Sequence, residues 1–330
     1  MQNQSISVVI PTFNGKELLQ RFLPSVMDAV GAYPGESEVI IVDDCGTDNS
    51  DELIKGKFAG VHLIRLEKNM GFARACNAGF RACRNEIVIL LNNDVQVDKD
   101  FIAPLVAHFE NGDVFGVRPG LSLMDLKVSR AYLERFSVGL EFKRGYIELP
   151  MFKRGATQKN GDIFLLGGTL AAIDKEKLLK LGGFDELYTP FYWEDADLSY
   201  RAWKRGWRII YEPKSLAWHQ THSTISLYPQ NYVGKIGERN RYIMVWKNIF
   251  DRKLLFNHFC WIPLRLLALL ISGRWHKLPA LFLALGILDK IKEKRKLERQ
   301  EAKISDRRLF DFFSDIMRGT TRIRPGSPGY

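Results

Sequence analysis

The sequence predicts an α/β protein built around a mainly parallel sheet, and three observations carry that prediction. Short apolar runs rich in β-branched residues recur at 6–10, 38–44, 61–66 and 86–94. Stretches of helical spacing separate them, most clearly at 15–30 and 71–83. The strand-like runs are apolar throughout instead of alternating, as expected where helices cover both faces of a sheet. With 330 residues, 46% of them hydrophobic and 26% charged, the chain has the composition of a globular protein and the length for one domain plus an appendage.

Taken in order, "ISVVI" (6–10) is a strand stopped by Pro11, and an amphipathic helix follows from Gly15 to about Val30. "EVIIVDD" (38–44) is the second strand and runs into the turn "CGTDNS". "VHLIRL" (61–66) is the third, and "GFARACNAGFRAC" (71–83) has helical spacing. "EIVILLNND" (86–94) is the fourth strand. In such sheets ligands gather beyond the carboxyl ends of the strands, which is where "PTFNG", "VDDCGTD" and "LNNDV" fall.

The middle is less regular. Residues 120–160 have weak periodicity and read as loops or a lid. "GDIFLLGGTLAAID" (161–174) reads as a strand broken at Gly167–Gly168, through a bend or a close backbone approach to a ligand. "EDADLSYRAWK" is helical up to Gly206, and "WRIIYEP" and "SLAWHQ" read as two short strands. From about 233 the chain reads as helical, and the expected division is into 1–230 and a C-terminal region 231–330. That region carries 21 Lys and Arg against 9 Asp and Glu, so all the excess positive charge lies there. Its run "FCWIPLRLLALLISG" (259–273) is apolar but short of the ~20 residues needed to span a bilayer. Apolar helices beside "KEKRKLER" suggest a segment lying on an anionic membrane surface; the alternative is a helical bundle with a solvated basic face.

Several classes are disfavoured. Cys45, Cys76, Cys83 and Cys260 form no CxxC pair and no zinc spacing, which fits reduced thiols in a cytoplasmic protein. The start "MQNQSISVVIP" lacks the basic n-region of a signal peptide. Neither a Gly-x-Gly-x-x-Gly nor a P-loop motif occurs. Aromatics in the basic tail sit among aliphatics and not between cations, so nucleic acid is not an expected partner.

Four polar clusters remain. Asn92 and Asp94, two apart at a strand end, share a face and offer oxygen ligands suited to Mg²⁺ or Mn²⁺; an ordinary turn is the alternative. Asp43 ends the second strand, either to accept from a base or ribose or to serve turn chemistry. Arg74 and Asn77 lie near a helix start, where anions bind, or on a solvated face. His219, with His222 nearby, is either structural or a metal ligand. The most unusual stretch is "FYWEDADLSYR" (191–201), which presses Glu194, Asp195 and Asp197 against three aromatics. Burying carboxylates is costly unless they are paired or used.

"VVIPTFNG", "IIVDDCGTDNS", "NMGFARACNAGF", "ILLNNDV", "GGTLAAIDKEKLLKLGGFDE" and "WEDADLSYRAWKRGWRIIYEP", in that order, resemble the family 2 glycosyltransferases over roughly residues 5–225. Within that family the resemblance is to bacterial rhamnosyl- and galactofuranosyltransferase-like members that build cell-surface polysaccharides. It implies a GT-A fold and inverting transfer of a sugar from a nucleoside diphosphate donor, dTDP-rhamnose being the first guess, to a lipid-linked or polysaccharide acceptor. It further implies that Pro11, Thr12, Asp43, Asn69, Gly71, Arg74, Asn77 and Asn93 bind the nucleotide-sugar. Asn92, Asp94 and His219 would hold a divalent metal, Mg or Mn, with Asn departing from the usual first Asp. Asp195 matches the catalytic base; Glu194 would assist it or orient the acceptor. Asp197 would orient the acceptor or bind Arg201, and Gly168 and Trp193, with Tyr192, would meet the acceptor. The implied location is cytoplasmic, peripheral on the inner face of the membrane. The alternative is a catalytically silent nucleotide- or sugar-binding module.

Overall fold

The computed structural model describes residues 4–124, 136–153, 161–220 and 228–320. The first hundred residues follow the expected alternation: β1 (Ile6–Thr12), α1 (Lys16–Ala32), β2 (Ser37–Asp43), α2 (Ser50–Lys57), β3 (Val61–Arg65), α3 (Phe72–Ala82), β4 (Ile87–Leu91), β5 (Val95–Val97) and α4 (Ile102–Val106). Next come β6 (Val114–Leu123), the short strands β7 (Phe136–Val138), β8 (Glu141–Lys143), β9 (Tyr146–Glu148) and β10 (Met151–Lys153), then β11 (Leu170–Asp174), α5 (Lys175–Lys180), α6 (Glu194–Lys204) and β12 (Arg208–His219). Five helices close the described chain: α7 (Gln230–Asn248), α8 (Arg252–Ile271), α9 (Pro279–Leu285), α10 (Leu288–Glu301) and α11 (Asp306–Arg318).

Eight strands form one sheet in the order β3-β2-β1-β4-β11-β6-β12-β5. The β1–β2, β2–β3, β1–β4 and β6–β12 pairs are parallel, whereas β11 enters antiparallel to both neighbours and β5 antiparallel to β12. The pleat sorts side chains by face. Ile6, Val8 and Ile10 join one core with Leu19 and Leu23 of α1; Val9, Val42 and Leu90 join the other with Phe80 of α3.

Four expectations need correction. The stretch 161–174 is a strand only from Leu170, because Gly167 takes a left-handed turn (φ 91°) that its missing Cβ allows. The two short strands after α6 are one, β12, with a register shift between Glu212 and Leu216. Within 120–160, β6 runs on to Leu123 and two small antiparallel pairs form, β7–β10 and β8–β9; 125–135 and 154–160 lie outside the described residues, as does His222. The expected C-terminal helices are present, and they pack into the main core. Tyr242, Ile243, Ala284, Leu309 and Phe313 belong to the same core as Val9 and Phe80. The apolar run at 259–273 is also part of a 20-residue helix, α8, because Asp251 caps a helix start seven residues before the run begins. α8 is long and apolar enough to cross a membrane by length and composition.

Candidate active site

A cavity of roughly 450 Å³ opens where β1, β2 and β4 end, and the head of α6 forms its opposite wall. Pro11, Thr12, Asn69, Gly71 and Asn93 line one end. Asn93 donates from Nδ2 to Thr12 Oγ1 (2.8 Å), tying β4 to β1. That bond requires Gly15, since a Cβ there would stand 2.1 Å from Asn93 Nδ2. Asp44 closes this end: its carboxylate accepts from the N–H groups of Met70 (2.6 Å) and Gly71 (2.8 Å), fixing the loop before α3. Burial raises its pKa against those two donors.

Three expected nucleotide ligands lie elsewhere. Asp43 is fully buried beneath the cavity, where it accepts from Gly46 N–H (2.8 Å) and pairs with Arg65 (3.2 Å). The strand alternation turns its neighbour Asp44 to the cavity instead. Arg74 projects to Glu186 (2.8 Å). Asn77 is buried and exchanges two hydrogen bonds with the Phe184 main chain, both 2.9 Å.

Asn92, Asp94 and His219 meet on the cavity wall, because β12 ends beside β5, the strand that follows Asp94. His219 Nε2 lies 3.1 Å from Asp94 Oδ1. Asn92 Oδ1 is buried and has no hydrogen-bond partner among the described residues. One carboxylate, one imidazole and one amide oxygen fit a divalent cation of mixed N/O preference. Among the described residues no group of three or more His, Cys, Asp and Glu side chains gathers to hold an ion. The trio reaches three donors only through the Asn92 amide, so an ion here would lean on oxygens from a bound diphosphate.

At the opposite wall the backbone turns left-handed at two successive non-glycine residues, Tyr192 (φ 71°) and Trp193 (φ 78°), and α6 then begins. Such residues cost about 1–3 kcal/mol each and persist only where the surroundings hold them. The turn presents Glu194 and Asp195 to the cavity. Asp195 accepts from Gly168 N–H (3.1 Å) and Ala196 N–H (2.8 Å). Burial raises its pKa, while those two donors and the Arg118 guanidinium of β6 favour its charged form. Glu194 Oε2 is buried with no hydrogen-bond partner among the described residues. Burial first, then the neighbouring Asp195 charge, pushes Glu194 up to about 8. Two adjacent carboxyls therefore sit in different surroundings: burial beside Asp195 favours the protonated form of Glu194, while Asp195 has donors that favour a carboxylate. Arg118 was not anticipated, although an arginine inside the apolar run "VFGVRPG" was a visible signal.

Asp197 does not face the cavity. Fully buried, it accepts from Tyr188 Oη (2.9 Å), Arg201 Nε (2.7 Å), Lys247 Nζ (2.7 and 2.9 Å) and Asn248 Nδ2 (2.8 Å). Despite its burial, Lys247 and Arg201 hold it well below the usual carboxylate range. Of its two expected roles, the bond to Arg201 is the one formed. Trp193 packs partly buried against the core, outside the cavity lining. The aromatic wall comes instead from Phe191, Tyr192 and Tyr228; the Phe191 ring stands 5.3 Å from that of Tyr192 and 5.2 Å from that of Tyr228.

The chain is 27% identical over 226 residues to the poly-beta-1,6-N-acetyl-D-glucosamine synthase of Staphylococcus epidermidis, covering 68% of this chain and 52% of that protein. It is 36% identical over 105 residues to the undecaprenyl-phosphate 4-deoxy-4-formamido-L-arabinose transferase of Pseudomonas fluorescens, 31% of each chain. The chain spans about half the length of most of the curated relatives it matches. Among solved structures it resembles GalNAc-T7 with UDP, GalNAc and Mn²⁺ (TM-score 0.61, 19% identity, 76% of this chain and 48% of that one). It also resembles Staphylococcus aureus TarS 1-349 (TM-score 0.56, 14% identity, 97% and 91%). These likenesses identify the GT-A fold. The family model described as "Glycosyl transferase family 2" matches residues 7–182, more than half of the sequence, and the chain belongs to that family.

Proposed function

We propose that this chain is an inverting glycosyltransferase that moves a sugar from a nucleoside diphosphate donor to a lipid-linked or polysaccharide acceptor. The observation that carries this reading is Asp195, held by two backbone N–H groups and facing a cavity whose far end is built from the ends of β1, β2 and β4. In a single displacement the acceptor oxygen bonds to the anomeric carbon as the bond to the donor's diphosphate breaks. The acceptor's hydroxyl proton passes to an Asp195 carboxylate oxygen. Asn92, Asp94 and His219 would hold a divalent metal, Mg²⁺ or Mn²⁺, whose charge offsets that of the departing diphosphate. The aromatic wall of Tyr192 and Tyr228 offers faces for an acceptor sugar. The test is transfer and hydrolysis across a panel of nucleotide sugars, dTDP-rhamnose first, with Mg²⁺, Mn²⁺ or EDTA. One donor turned over by wild type and not by Asp195→Asn supports the reading. Nucleotide binding without any turnover, lipid-linked acceptors included, overturns it.

The acceptor side of the proposal places the enzyme in the cytoplasm, on the inner face of the membrane. Phe256, Phe259, Leu267, Ile271, Trp275 and Phe282 all expose more than half of their surface, beside the basic C-terminal region. Arg265, midway along α8, is tied to Glu238 of α7 (2.7 and 2.9 Å), which favours a helix lying along the protein with one side turned to lipid. Flotation with phosphatidylglycerol-containing liposomes tests this. Serine at Phe256, Phe259, Ile271 and Phe282 together is expected to leave the protein unbound, and unchanged flotation sinks the membrane assignment.

A further inference from the structure

One stripe of α7 reads directly onto the segment that delivers the catalytic acids. Val233, Gly237, Asn240, Met244 and Lys247 recur three or four residues apart and so share a face, with Ile236 beside Gly237 at its edge. Val233 and Ile236 pack on Phe191. Asn240 is fully buried, and its Nδ2 lies 2.9 Å from each of the carbonyls of Tyr188, Phe191 and Tyr192. Arg239 donates from Nη2 to the carbonyls of Leu187 (3.3 Å) and Thr189 (2.6 Å), and from Nε to Asn240 Oδ1 (2.9 Å), orienting the amide. Lys247 ends the stripe between Asp185 (2.5 Å) and Asp197 (2.7 Å).

We propose that α7 is the positioning element of the catalytic carboxylates. Asn240, aligned by Arg239, captures the 187–192 main chain and holds the left-handed exit at Tyr192 and Trp193 that aims Glu194 and Asp195 into the cavity. Three carbonyls turned inward need donors, and the two N–H groups of this one amide, one of them shared, lie within reach of all three. Without it the Tyr192–Trp193 turn loses what opposes its strain, and the carboxylates move relative to the donor. Among the described residues the nucleotide end, fixed by Asp44 and Asn93, has no hydrogen bond to this stripe. Asn240 is thus a positioning residue, acting through the loop it binds.

The proposal rests on the reading of Asp195 as the base, and its test separates the two. Asn240→Asp in the full chain keeps the side-chain shape and removes its donors. The turnover number is expected to fall about 100-fold, as for a reacting group misplaced by about 1 Å. The Kd for UDP with Mn²⁺ stays within about twofold, since that end is untouched. An unchanged turnover in a folded variant, or UDP-binding capacity falling in step with turnover, overturns the proposal. Should that variant not fold, Arg239→Gln is read the same way, with an expected loss of about tenfold. If wild type turns over no donor, the base assignment falls and amide exchange decides this inference. Exchange at least about tenfold faster in Asn240→Asp, confined to residues 187–197, supports it; unchanged exchange there refutes it.

Discussion

The two ends of the cavity are held by different parts of the chain. The proposed nucleotide end is assembled within the first 94 residues from strand ends and the turns after them; Asp44 accepts from Met70 and Gly71, and Asn93 donates to Thr12. The catalytic end depends on side chains that arrive much later: Asn240 and Lys247 about fifty residues on, and Asp306, which accepts from Tyr200 and Lys204. The first end is a property of consecutive βα units. The second is a property of the whole chain. In one the main chain itself presents the ligands; in the other a strained turn is pressed into place from outside.

The comparison can be broken or sharpened by experiment, and the largest effect belongs to the acid itself. Asp195→Asn is expected to cut transfer by about 10³-fold, within the usual range for a general base, while UDP binds as before by titration calorimetry. Lys247→Met should act on folding: it strands Asp185 and Asp197 with part of their positive charge removed, a loss of about 3–5 kcal/mol in urea unfolding. If the catalytic end alone depends on α7, a folded remnant of that variant still binds UDP.

Two buried groups give opposite pH signatures. Glu194 is raised from 4.5 to about 8, so its contribution is complete below pH 4.5 and is lost as pH rises towards 8. Glu194→Gln is therefore more stable than wild type at pH 7, by on the order of 3 kcal/mol, with no gain at pH 4. His258, lowered from 6.5 to about 4 by burial, accepts from Trp246 Nε1 (2.8 Å) and donates to the Gly145 carbonyl (2.6 Å). Its contribution is complete above pH 6.5 and is lost as pH falls through 4, again about 3 kcal/mol. Replacing it with Gln flattens that acid limb in a melting series from pH 4 to 7. The smallest effect belongs to the nucleotide end: Asp44→Asn removes the charge behind two hydrogen bonds and weakens UDP about tenfold, or about 1.4 kcal/mol, with turnover at saturation nearly unchanged.

The same division decided what could be read in advance. β1 to β4, the polar turns after them and the acids opening α6 announce themselves over ten or so residues each, and all were legible. Errors arose where a partner lies far away. Asn77 looks like a ligand in isolation, but Phe184, 107 residues away, claims it; for Asp197 the Arg201 partner was legible and Lys247, 50 residues away, was not. Asp43 and Asp44 differ only in which side of the strand end they leave from, which residue type does not reveal. Asn240 carried a signal that went unread: a polar side chain between Ile236 and Met244 on the apolar stripe of a helix. β11 has the composition of the parallel strands β1, β2 and β4, so its reversed direction was not visible either.

The tie between α6 and α11 also has a consequence for how the protein is made. Lys204 donates to Asp306 Oδ1 (2.5 Å), and the Asp306 carboxylate also takes the N–H groups of Phe250 and Asp251. At a translation rate of about 5–20 residues per second, the 102 residues between these partners take roughly 5–20 s to emerge. Through that interval Trp203 lacks its packing partner Phe313, and the core shared with the C-terminal helices is incomplete. In that interval the first half of the cavity already has its own partners, whereas the second half still lacks Asp306.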